Sequence, residues 1–135
     1  MYPQLASIHY TLTLLILVLG TAAVVRGVIL FAHRRVLGYR VDTALRWLLL
    51  ATAGLAGVEA LLGLILLAAG ARPFDPRHYL WGLAVLGAIP LAASFVRRAR
   101  VLRNVVVLAL GAAVVVVTAV MALLTGCPFL GGCPH

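Results

Sequence analysis

Residues 105–124 read VVVLALGAAVVVVTAVMALL, a run without a charged side chain and with a single hydroxyl, Thr118. About 20 consecutive apolar residues suffice for a helix to cross about 30 Å of hydrocarbon. Three more stretches of this kind fill the chain, at 8–31, 44–69 and 79–96. In lipid every backbone N–H and C=O must be satisfied internally, which leaves helices and closed barrels, and four spans are too few for a barrel. The expectation is an all-α integral membrane protein. Residues 1–135 form a single domain, a four-transmembrane-helix bundle running up-down-up-down.

The composition agrees. The 135 residues are 64% hydrophobic, with 11 basic and 3 acidic side chains, and the mean hydropathy is +1.16. A soluble domain of this size needs more polar surface than that. The net charge of +8 does not point to nucleic acid, because the arginines cluster in short loops instead of lying among exposed aromatics. That distribution is a topology signal. Arg34, Arg35 and Arg40, with His33 and Arg46 beside them, mark the first loop, and Arg97, Arg98, Arg100 and Arg103 mark the third. The second loop has Arg72 and Arg77, offset by Asp75, and the N-terminal MYPQLAS has no basic residue. The positive-inside rule predicts a multi-pass protein of the cell membrane with both termini on the non-cytoplasmic side. The first apolar run is too long for a signal-peptide core, so it is expected to stay in the mature protein.

A faint internal echo runs through the chain: His9-Tyr10 and His78-Tyr79 open spans one and three, and Leu45-Arg46 and Leu102-Arg103 open spans two and four. Gly54 and Gly111 keep the second offset. Either the bundle is a duplicated helical hairpin, with its halves related by an axis along the membrane normal, or apolar sequence of low complexity resembles itself by chance.

Polar residues inside such a bundle carry whatever chemistry it has. His9 and His78 begin spans one and three, which run in the same direction and sit diagonally in an up-down-up-down bundle. Two imidazoles facing each other across a core are candidate axial ligands of a haem iron, with Tyr10 and Tyr79 beside the cofactor. The alternative is that both His-Tyr pairs are interfacial anchors. Glu59 lies mid-span, and an intramembrane carboxyl is a functional candidate by default. It is the candidate catalytic residue, as a proton relay or as a hydrogen-bond partner of a quinone. The alternative is a protonated structural carboxyl bonded to the Leu86 carbonyl that Pro90 frees, or to Thr13 or Thr118. Arg26 is placed to snorkel to the headgroups. Gly54, Gly57, Gly63, Gly82, Gly87 and Gly111 read as close-packing positions. Cys127 and Cys133 flank Pro-Phe-Leu-Gly-Gly, and on the non-cytoplasmic side they are expected to form a disulfide. Metal binding with His135 is the weaker alternative, since the spacing fits no zinc motif.

On His9 and His78 the arrangement is broadly similar to four-helix membrane cytochromes that hold b-type haem near one face. The cysteine pair beside a four-helix unit also resembles haem A synthases, although the in-span Glu-x-x-x-His signature is broken here, with Gly63 four residues after Glu59. These likenesses imply a small membrane redox protein with haem b, and quinone as a further candidate cofactor. A second class is a non-catalytic accessory or assembly subunit of a larger respiratory or photosynthetic complex, partnered through its helices or by self-association. A third, weaker class is a small transporter or proton channel. Phosphate-binding loops, a nucleophile elbow and HExxH are all missing from the sequence, so hydrolysis and phosphoryl transfer have no apparatus.

Overall fold

A computed structural model describes residues 2–33, 42–96 and 101–126. They form four helices: α1 Tyr2–Ala32, α2 Thr43–Ala68, α3 Arg77–Ser94 and α4 Val101–Thr125. Among the described residues there is no strand. Three helices are long and apolar enough to cross a membrane, over Gln4–Ala32, Thr43–Ala68 and Val101–Thr125. The 18-residue α3 is not among them, because it opens on Arg77-His78-Tyr79 and contains Trp81 and Pro90.

One boundary differs from the sequence reading in a way that matters for the site. Helix α1 starts at Tyr2, six residues before the apolar run, because Pro3 falls in the first turn, where a backbone N–H has no intrahelical partner. His9 therefore lies about two turns inside its helix, whereas His78 is the second residue of α3.

The helix ends are well defined. Asp42 caps α2, its Oδ2 accepting the Leu45 N–H at 3.1 Å. At the other end Gly70 takes φ +91°, with Gly70 N–H to Leu67 O and Ala71 N–H to Leu66 O both at 3.0 Å. This is a Schellman closure, which needs the left-handed conformation that glycine adopts without a Cβ clash.

Buried positions follow a three-four rhythm. Thr13, Ile16, Gly20, Ala23, Gly27 and Leu30 face inward from α1, and Leu45, Leu49, Thr52, Ala56 and Glu59 from α2. A mean spacing of 3.5 is the seam of left-handed helix packing. Polarity does not mark this seam, since large hydrophobics such as Val18, Leu61 and Leu124 are 64%, 62% and 73% exposed on the outside. Small residues mark it instead. A Cβ on Gly27 would lie 2.6 Å from the Ala109 Cβ, and one on Gly111 would lie 2.6 Å from the Ala92 Cβ. Gly54, Gly57, Gly82 and Gly87 have no such neighbour within 4 Å, so their reading as close-packing positions is corrected. They lie where no helix approaches, and Gly20 and Gly27 take that role.

Contacts are extensive between α1 and α2, α1 and α4, and α3 and α4, but sparse between α2 and α3. A duplicated hairpin would make the α1–α4 and α2–α3 seams equivalent. They are not, and Gly111 is wedged against α3 while Gly54 faces open space. Whatever the origin of the echo, the packing is asymmetric, and the loose α2–α3 seam opens the bundle on one side.

The basic loop residues Arg34, Arg35, Arg40, Arg97, Arg98 and Arg100 lie outside the described residues, as do Cys127, Cys133 and His135. Arg26 does not simply extend toward a headgroup layer. Its Nε and Nη2 donate to Asp42 Oδ2 and Oδ1 at 2.9 and 3.1 Å, closing the first loop across its ends.

Candidate functional site: a histidine pair in an apolar cavity

The looseness between α2 and α3 leaves a cavity of about 590 Å³, within the range of small-molecule and cofactor sites. It occupies the end of the bundle where α1 and α3 begin and α2 and α4 end. His9, Tyr10, Glu59, His78 and Tyr79 all line it. Residues of α1, α2 and α3 are thus brought to one cavity. The remaining wall is largely aliphatic, with Arg72 from the α2–α3 loop as its basic member.

The two imidazoles face each other with ring centres 6.1 Å apart and planes at 67°. His78 is fixed from behind, its Nδ1 lying 2.9 Å from the Ala122 carbonyl. A carbonyl only accepts, so Nδ1 carries the hydrogen and Nε2 of the neutral ring has the free lone pair. Gly126 makes this seat possible, because a Cβ there would sit 3.2 Å from His78 Cε1 and 3.4 Å from Nδ1. Gly63 stands similarly behind His9, 3.6 Å from Cε1 by the same measure. The backbone adds a further tie, from Asp75 N–H to Thr125 O at 3.1 Å, which holds the start of α3 against the end of α4. His9 Nδ1 is buried and has no hydrogen-bond partner among the described residues. Such a group is costly unless something bonds it.

Glu59 is 9% exposed and hydrogen-bonds Thr13 Oγ1 through Oε1. Thr13 Oγ1 also lies 3.1 Å from the His9 carbonyl. A hydroxyl has one hydrogen and two lone pairs. It can donate to only one of these oxygens, and the nearer is Glu59 Oε1, so Thr13 donates to the carboxyl. Of the partners expected for Glu59, the one realised is thus Thr13. Thr118 instead bonds back to the Val114 and Val115 carbonyls of its own helix. Leu86 lines the cavity with Glu59, and no bond joins the Leu86 carbonyl to it.

The fit of the histidine pair to a metal can be tested on these distances. With metal–nitrogen bonds of about 2.0–2.1 Å, two imidazoles on opposite sides of one ion have ring centres about 6.3 Å apart, close to the separation found. Among the described residues no group of three or more His, Cys, Asp or Glu is placed to hold a metal ion. Two imidazoles alone suit an ion that brings its other ligands with it, which is the case of haem iron. The ring separation is compatible with two imidazoles sharing such an ion.

Sequence reasoning missed Gly126 and Arg72 as site residues and read Gly63 only as a close-packing position. The two glycines carry no local signal, since only the neighbouring helix tells what they make room for. Compared with known proteins, the chain matches no family, no curated protein and no solved structure.

Proposed function

We propose that this chain is a small redox protein of the cell membrane. In this reading all four helices insert as an up-down-up-down bundle, with the arginine-rich first and third loops in the cytoplasm and the histidine end on the non-cytoplasmic side. A b-type haem is held between His9 and His78. The observation that carries the reading is the 6.1 Å separation of the two rings at the wall of an apolar cavity of about 590 Å³.

Bound there, haem supplies one-electron redox chemistry. The chain's own part is to hold and tune it. His78 is oriented by the Ala122 carbonyl, and that hydrogen bond makes Nε2 the better donor. His9, beside Gly63 of α2, would offer the opposing ring. The aliphatic wall would keep water from a bound haem, and Arg72, which lines the same cavity, would face its carboxylates. The Glu59–Thr13 pair, about one turn deeper than His9, is the proton-bearing group of the same cavity.

The test is a visible spectrum of the detergent-purified protein, oxidised and then dithionite-reduced, after expression with added haem precursor. A sharp reduced α-band is expected, and it should disappear in His9→Ala and in His78→Ala. A flat spectrum, or a band that survives both substitutions, would end the haem assignment and leave the accessory-subunit reading to be tested by co-purification.

A further inference from the structure

The α2–α3 seam has a chemistry of its own. Leu64, Leu83 and Leu86 line the cavity and are themselves 61%, 66% and 37% exposed. They therefore connect the cavity to the apolar outside of the bundle. Gly82 lines it too, and no atom lies within 4 Å of where its Cβ would be, so a flat ring can lie against α3 there. Deeper in the same cavity Glu59 uses Oε1 for Thr13. Its Oε2 has no hydrogen bond among the described residues and is not sealed from the cavity.

We infer that the α2–α3 seam admits the ring of a lipid-soluble quinone, with Glu59 as its hydrogen-bonding partner. A ligand entering sideways between helices must dissolve in lipid. A carboxyl oxygen between apolar walls, Glu59 Oε2, matches a carbonyl or hydroxyl on a flat apolar ring. A phospholipid headgroup matches poorly, because its phosphate would approach the carboxyl of Glu59. As a redox partner the quinone rests on the haem reading, but as a ligand it rests on the cavity alone.

The chain has two tryptophans, Trp47 and Trp81. In the Trp47→Phe protein, Trp81 beside Gly82 becomes the only reporter. That protein, in phosphatidylcholine nanodiscs, is titrated with a decyl-substituted 1,4-benzoquinone while tryptophan fluorescence is followed. Saturable quenching is expected, weakened at least tenfold by Glu59→Ala and abolished by Ala60→Leu, which fills the cavity floor from α2. If Glu59→Ala fails to fold, Ala60→Leu decides. Quenching that never saturates, or that saturates unchanged in both variants, overturns the inference. So does equal displacement by oleate in the presence and absence of the Glu59 carboxyl, which would mark a slot for acyl chains. The titration is repeated on preparations with and without a visible haem band. Quinone binding without a band ends the haem reading alone, and a band without quinone binding ends this inference alone.

Discussion

Asp42 does two jobs with one carboxylate. It caps α2 by accepting the Leu45 N–H and it pairs with Arg26 from the end of α1. The Arg26 hydrogen bonds hold its carboxyl below the usual range, against the opposing pull of partial burial. A depressed folded-state pKa gives stability that is present above the unfolded value, about 3.9, and is lost as pH falls through the folded value. The α1–α2 pair should thus keep this clamp through mildly acidic pH and lose it only below about pH 4. Asp42→Ala should lower stability by about 1 kcal/mol through the lost cap alone. Asp42→Asn should keep the cap and lose mainly the pH dependence. Thermal melting in detergent between neutral and acid pH separates the two. Thr13 is the other decisive residue. Thr13→Val keeps the shape but leaves the Glu59 carboxyl unbonded, a loss of about 1–3 kcal/mol, while Thr13→Ser should melt near the parent. Equal melting of Thr13→Val and parent would count against the pairing. That Glu59 must find a partner was legible from its place in an apolar run. The choice of Thr13 was not, because it depends on how far α2 slides along α1.

The helices themselves were largely legible, since apolar length and flanking arginines delimit α2 and α4 to within a residue or a few. The start of α1 was not, because a proline in a first turn stops nothing. Nor was the inward face of each helix, because in a chain apolar on all sides the seam is set by residue size. The glycines test this. Gly111→Ala and Gly27→Ala place a methyl 2.6 Å from another methyl carbon, and each should lower detergent stability by about 1–3 kcal/mol through overpacking. Gly54→Ala meets open space and should be neutral or stabilising by about 0.5–1 kcal/mol, since alanine is the better helix former. If all three variants melt alike, the α1–α4 and α3–α4 seams are not where they are described.

For the whole molecule, orientation and insertion follow from the loop charges in the proposed reading. That reading predicts that Cys127 and Cys133, outside the described residues, are paired on the non-cytoplasmic side. A membrane-impermeant maleimide should label intact cells only after a mild reductant, and labelling only after lysis would reverse the topology. Apolar length, a local property, determined by itself a helical chain with three helices long and apolar enough to cross a membrane, and the isolated polar residues within it. The tertiary structure alone decided that α2 and α3 stand apart, because the separation depends on which small residues meet across α1–α4 and α3–α4. It also decided that His9 and His78 come together across the bundle. Side-chain distances across a bundle arise from helix rotation and offset, and neither is written in any one segment.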